Sequence, residues 1–320
     1  MLGSSRIPLF SPMIYDYQLA AFDKLLSVAK ACFAIQRHTL PIRPRTNTLI
    51  IGPSGTGKTH LARAVAAELE AEFLSVSVAE WILLGCTGRG GTPSWPVIVG
   101  FLKRNHKKSG LVLFVDEIDK VSGGTAWETL LRAETFSLLD LRIPTGLNDE
   151  DGTSLSDDEL AKAQDVLSNR TLVLAAGAFQ HIWEDRSRPT VGFGSVVTNT
   201  QETNLNHLAA TLPRELVNRF RSDVIVLPQL QECDYRRMLE QSAEAVPVYL
   251  RNTFLRLGNQ RIHGAVACQQ GCRFLEELML DTIIEEKSLL QLGDSPSPSD
   301  VDIGSAFPPA LPAPSKEPDA

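Results

Sequence analysis

The sequence predicts an α/β fold, a parallel sheet covered by helices on both faces, followed by a small all-helical domain. Short apolar runs of strand type recur at 47–51, 72–78, 111–117 and 171–179, with helical stretches between them. The runs "LVLFVDE" (111–117) and "TLVLAAGAF" (171–179) are apolar at nearly every position, as strands buried on both faces are. After "LPQL" (227–230) the pattern turns helical as far as Leu292. Strands that alternate with helices need parallel pairing and crossover connections.

Each element has its own reason. Residues 14–37 place Leu19, Phe22, Leu26, Ala29 and Phe33 at steps of three and four, an amphipathic helix, which the two prolines of "LPIRPR" then end. "NTLII" (47–51) is a short strand, and "GPSGTGKT" leads from it into a helix running to Leu69. "EFLSVSV" (72–78) is a second strand, and "VIVGFLKRNHKK" is a helix with a basic, wet end. "AWETLLRAETFSLLDL" (126–141) is helical, and "VIVL" (224–227) is the last short strand. "NDEDGTSLSDDE" (148–159) is acidic and poor in apolar residues, so 145–168 is expected to be a surface insertion. The expected divisions are an N-terminal helix and linker at 1–45, a large domain at 46–228, a helical lid at 229–292 and a disordered Pro/Ser-rich tail at 293–320.

Composition narrows the function classes. The 320 residues suffice for about two domains at roughly 150 residues each. A formal charge of −7 argues against a protein whose whole surface binds nucleic acid, although a local basic groove would survive it. No run of 18 apolar residues occurs, so no membrane span is expected, and "MLGSSRIPLFSP" lacks the apolar core of a signal peptide. The five cysteines are scattered and the six histidines have no metal-ligand spacing, which fits free thiols in a reducing cytoplasm.

The chemistry is concentrated in two stretches. "GPSGTGKTH" comprises Gly52, Pro53, Ser54, Gly55, Thr56, Gly57, Lys58, Thr59 and His60, and fits G-x-x-x-x-G-K-[ST] between a strand and a helix. The glycines turn backbone N–H groups inward to cradle phosphates, Lys58 neutralises β/γ-phosphate charge, and the Thr59 hydroxyl suits Mg²⁺. ATP and Mg²⁺ are therefore the expected cofactors. Asp116 ends a buried apolar strand, where it can hold the same Mg²⁺, and Glu117 beside it suits a general base that polarises the attacking water.

"GPSGTGKT", "LVLFVDEIDK" and "LPRELVNRF", in this order, resemble the AAA+ ATPases. "LAAGAFQ" (174–180) and "VGFG" (191–194) are similar to the Clp/HslU, ClpX-type branch. The resemblance covers about 14–290 and implies a P-loop NTPase sheet with a helical lid. It implies that Arg219 is an arginine finger reaching the ATP of a neighbouring subunit, with Arg214 and Arg221 nearby as alternatives. It implies that Arg273 in "QGCRFLEE" is the lid's sensor arginine, and that the chain forms a homo-oligomeric ring, a hexamer by likeness. "VGFG" is a candidate docking point for a partner peptidase, against which stand its shorter surrounding loop and the commonness of short G-F-G strings. Three features depart from the pattern. The strand at 171–177 ends in Ala175, Ala176 and Gly177 without a polar side chain. "YDYQ" (15–18) stands where an I-G-Q-like pattern is usual. There is no four-cysteine zinc module.

The loop "WILLGCTGRGGTPSW" (81–95) falls where AAA+ unfoldases carry a pore loop, with Cys86 in place of the usual aromatic and Arg89 and Trp95 beyond it. Trp81 and Trp95 read as anchors and the glycines as the source of mobility. The loop either faces a substrate in a central pore or is a fixed contact for a neighbour. The leading expectation is a motor that remodels or unfolds a protein substrate. The alternatives are a nucleic-acid motor or loader using Arg89 and "KRNHKK" (103–108), and an assembly switch with low turnover.

Overall fold

The computed structural model describes residues 13–34, 40–42, 44–84, 93–122, 125–148, 154–180 and 214–292. Five parallel strands form one sheet: β1 (Thr48–Ile51), β2 (Glu72–Ser77), β3 (Leu111–Asp116), β4 (Thr171–Gly177) and β5 (Ile225–Val226). Their spatial order is β2-β3-β4-β1-β5. β4 therefore lies between β1, which leads into the glycine-rich loop, and β3, which ends in Asp116. Leu49 stands level with Ala175, and Leu113 with Val173.

The strands alternate in side-chain direction, so their continuous apolar runs divide between two cores. Leu49, Ile51, Leu113, Val115, Val173 and Ala175 face one side, against α3 (Ser94–Arg104), α4 (Ala126–Leu139) and α5 (Asp157–Arg170). Ile50, Val112, Phe114, Leu172, Leu174 and Ala176 face the other, against α1 (Leu19–Ala34) and α2 (Lys58–Glu68). β3, β4 and β1 are buried along nearly their whole length, while β2 at the edge is half exposed. Each fully buried Leu, Val or Phe side chain contributes about 1.5–3 kcal/mol.

Two expectations are corrected here. α1 is a helix, but its buried stripe is Ala21, Leu25, Val28, Ala29 and Cys32, while Leu19 is 47% exposed. Both stripes have helical spacing; the one with the small side chains Ala21, Ala29 and Cys32 lets the helix approach the sheet closely, with Phe22 and Phe33 flanking it. The expected insertion at 145–168 is in part core. Ser156 caps α5 by accepting from the Glu159 amide, and the Glu159 carboxylate accepts from the Ser156 amide. Lys103 on α3 pairs with Glu159 at 3.0 Å, and chiefly this contact brings the Glu159 carboxyl down to about 2. Ala163, Val166 and Leu167 of α5 are buried. Asp157, Asp158 and Glu159, which read as part of a solvated run, are a helix's first turn.

The chain from Leu230 builds a third core. α7 (Glu232–Ala245), α8 (Val248–Ala267) and α9 (Arg273–Leu292) pack around Tyr235, Met238, Phe254, Phe274 and Leu278. A four-residue helix α6 (Arg214–Val217) precedes β5. Tyr15 and Tyr17, on either side of the start of the short 3-10 turn Asp16–Gln18, pack against this third core. The 293–320 tail and "VGFG" lie outside the described residues.

If α5 is part of the core, Leu167→Ala should destabilise the protein by about 2–5 kcal/mol in urea denaturation. A surface insertion would leave the midpoint unchanged.

Candidate nucleotide site

The C-terminal ends of β1 and β3 open into a cleft of about 1380 Å³. The loop after β1 forms its floor. Gly55 and Gly57 take φ of +79° and +78°, conformations that turn the loop's amides inward and that L side chains rarely adopt. Lys58 opens α2 and donates from Nζ to the carbonyls of Gly52 (2.8 Å) and Pro53 (3.0 Å). Burial lowers its pKa, partly opposed by the carboxylates of Asp116 and Asp119. A desolvated ammonium held on the loop's own carbonyls has much to gain from an anion. Gly52 sits against Leu227, and Thr56 is buried, its hydroxyl donating to the Pro53 carbonyl. Ser54, Gly55, Gly57, Lys58, Thr59 and His60 line the cleft.

Asp116 and Thr59 meet directly. The Thr59 hydroxyl donates to Asp116 Oδ2 at 2.8 Å, and the Glu117 amide donates to Asp116 Oδ1 at 2.9 Å. A hydroxyl and a carboxylate converging beside a phosphate-type loop are hard oxygen donors of the kind Mg²⁺ takes. The donor set thus fits an ATP·Mg²⁺ complex. Glu117 has φ +57°, and Ser77 at the end of β2 donates from its hydroxyl to Glu117 Oε2 at 2.9 Å. Backbone strain at a non-glycine residue is typical of functional positions.

Further contacts, most of them from residues that sequence reasoning passed over, brace the phosphate loop and its cleft. Gln18 is fully buried and donates from its side-chain amide to the Thr56 carbonyl at 3.1 Å, so "YDYQ" supplies a P-loop contact after all. The Tyr17 hydroxyl donates to the same carbonyl at 3.2 Å and accepts from the Cys272 thiol at 3.2 Å. Burial raises the pKa of both groups, so both keep their protons. His60 Nε2 lies 2.6 Å from the Met13 carbonyl. At the end of β4, a Cβ on Gly177 would stand 2.9 Å from Asp119 Oδ1. The polar group that the strand itself lacks is supplied there by Asp119, another residue of the cleft wall.

The lid closes the cleft from above. Arg273 lines it, and the preceding residue, Cys272, donates its backbone amide to the Gly55 carbonyl at 2.7 Å. Arg219 is elsewhere. It lines a separate cavity of about 210 Å³ with Asp140 and Asn47, away from this chain's own phosphate loop.

The base of the 81–95 loop is firmly built. Trp81 and Trp95 are both buried. Ser94 donates its amide to the Ile82 carbonyl (3.1 Å), and the Ile82 amide donates to the Ser94 hydroxyl (3.0 Å). Glu134 of α4 accepts from the Trp81 indole and from the Leu84 amide, each at 2.9 Å. Cys86 and Arg89 lie outside the described residues. The "KRNHKK" stretch is engaged within the fold: Lys103 pairs with Glu159, and Lys108 with Glu72 at 2.7 Å.

With this geometry in view, the class is defined. Residues 48–137 match the AAA family, "ATPase family associated with various cellular activities". The fold is that of an AAA domain, a five-stranded parallel sheet with a P-loop followed by helices. Among individual relatives, the "ATP-dependent Clp protease ATP-binding subunit ClpX" of Treponema denticola is 26% identical over 77% of this chain and 67% of its own length. The chloroplastic "ATP-dependent zinc metalloprotease FTSH 7" of Oryza sativa subsp. japonica is 40% identical over 26% of this chain. The "Proteasome-activating nucleotidase" of Methanothermobacter thermautotrophicus is 37% identical over 25% of this chain. The matched part spans only 10% of that metalloprotease and 18% of that nucleotidase. No helix among the described residues is long and apolar enough to cross a membrane.

Glu134→Ala removes the acceptor from two donors at the loop base. It should cost about 1–3 kcal/mol in urea denaturation and shift Trp81 emission to the red, with Glu134→Gln intermediate. Unchanged stability and emission would show that the clamp is not made.

Proposed function

We propose that the chain is a ring-forming AAA+ ATPase of the ClpX-like branch, cytoplasmic, which uses ATP hydrolysis to remodel or unfold a protein substrate. The observation that carries this reading is the clamped base of the 81–95 loop on α4. Arg132 of α4 donates from Nη2 to the Val121 carbonyl (3.4 Å) in the 3-10 turn Ile118–Ser122 that follows Glu117, so a displacement at the hydrolysis site has a short route to the loop. Likeness to ClpX over most of the chain supports the same reading. The ion pairs of Lys103 and Lys108 engage two of the charges of the basic stretch that the nucleic-acid alternative would use.

The geometry supports the following roles. Amides of the loop Gly52–Gly57, with Lys58, bind the phosphates of ATP. Thr59 and Asp116 would hold Mg²⁺, which would supply charge neutralisation for the phosphates. Glu117 takes the proton of the attacking water while Ser77 fixes its carboxylate from the far side. Arg273 on the lid bears on the phosphates from above, so loss of γ-phosphate loosens the lid. Arg219 acts on the nucleotide of a neighbouring subunit, so turnover requires assembly, and a closed head-to-tail interface gives a ring.

The test is steady-state ATPase activity with and without casein and with single-stranded DNA. Casein should raise turnover, and DNA should not. Glu117→Gln should lower kcat by about 10²–10⁴ while ATP affinity is kept. Stimulation by DNA alone would replace this reading with a nucleic-acid motor. Full kcat in Glu117→Gln would remove the assigned base.

A further inference from the structure

The side chain of Arg219 is held by three groups. Nε donates to Asp140 Oδ1 and Nη2 to Asp140 Oδ2, each at 2.9 Å, a two-pronged pair along one edge of the guanidinium. Nη1 donates to the Glu215 carbonyl at 2.6 Å. The guanidinium carbon lies 4.1 Å from the centroid of the Phe136 ring, which covers one face. Three of five N–H groups are thereby used. The two that remain sit one on each terminal nitrogen, and the side chain is still 25% exposed. Two such donors on the outer side of a guanidinium can meet oxygens of a phosphoryl group.

Asp140 needs an explanation in its own right. It is the C-cap of α4, and its amide donates to the Phe136 carbonyl at 2.8 Å. A carboxylate at a helix C-terminus faces the negative end of the helix dipole, and the last turn of α4 carries no basic residue to offset it. The contact that compensates it is the Arg219 guanidinium. Phe136, one turn earlier, presents its ring to the same group, so the end of α4 forms both the edge and the face of one seat. The guanidinium is then ordered before any partner arrives, and little of its rotamer entropy is lost on engagement.

We infer that Asp140 is the positioning residue for Arg219: it locks the arginine against the end of α4 so that the free outer edge points away from the subunit, toward the transferring phosphoryl group of a neighbour's ATP. The inference rests on the reading of Arg219 as the arginine that acts across a subunit border. Asp140 itself touches no nucleotide. The neighbouring cavity, lined by Arg45, Asn47 and Asn218 beside the pair, keeps this face open. Asn47 fixes the backbone below it by donating to the Leu139 and Arg219 carbonyls.

The experiment measures steady-state kinetics of the full chain across a protein-concentration series, with affinity for a fluorescent ATP analogue as the control for each chain's own site. The variants are Asp140→Asn, Asp140→Glu, Arg219→Ala and the double variant Asp140→Asn/Arg219→Ala. Asp140→Asn should lower kcat about tenfold with ATP affinity unchanged, and Asp140→Glu should recover part of it. The double variant should be no slower than Arg219→Ala alone, because positioning has no value once the arginine is gone. Normal or raised kcat in Asp140→Asn, with Arg219→Ala slow, overturns the inference while leaving the trans arginine intact. So does a drop in kcat accompanied by an equal loss of ATP affinity, or full additivity in the double variant. Normal kcat in Arg219→Ala removes the trans-arginine reading and this inference with it.

Discussion

The hydrogen bond from the Cys272 amide to the Gly55 carbonyl is the contact on which the rest of the site depends. It joins the lid's backbone to the phosphate loop's backbone without an intervening side chain. Both partners must be glycine or next to glycine for this to happen. A Cβ on Gly55 would lie 2.3 Å from the Gln270 carbonyl oxygen, and one on Gly271 would lie 2.1 Å from the Gly55 oxygen. Gly271 also has φ +63°, and its amide is held by the Tyr235 hydroxyl at 2.7 Å. Two backbones in van der Waals contact cannot slide independently, so lid movement is felt at the loop that carries phosphate.

Around that contact the molecule divides its work by polarity. Apolar side chains of β1, β3 and β4 fill both faces of the sheet, which leaves the strand ends as the place where polar groups face the cleft. There Thr59, Asp116, Ser77 and Glu117 form one connected set, with the positive φ of Glu117 as its strained member. Tyr17 and Gln18 add the N-terminal segment to the same loop through the Thr56 carbonyl. One carbonyl pair, of Gly55 and Thr56, thus receives three donors from two separate parts of the chain. α4 is bonded to the 3-10 turn that follows Glu117, carries Glu134 on the loop base, and meets Arg219 through Phe136 and its cap Asp140.

Much of this was legible in the sequence. The glycine-rich loop, the strand ending in Asp116 and the alternation of strands with helices follow from local pattern and composition, and Trp81 and Trp95 are the buried anchors their size suggests. What was not legible depends on tertiary position. The buried stripe of α1 is the one with small residues, a choice made by the sheet it meets. The acids of 157–159 look solvated until Ser156 is recognised as a cap and Lys103 arrives from α3. Ser77, Gln18 and Asp119 carry no motif of their own; their roles come from distant partners, Glu117, Thr56 and Gly177. A capping-box reading of S-x-x-E at 156–159 would have found α5 in advance.

The most direct test is the affinity of Gly271→Ala for a fluorescent ATP analogue, with thermal unfolding measured alongside. A Cβ there must separate lid from loop, and strain of about 1–3 kcal/mol corresponds to roughly tenfold or more in affinity. The account requires that weakening in a protein that still unfolds cooperatively. Wild-type affinity in folded Gly271→Ala would contradict it, because the backbone contact would then have no part in holding nucleotide.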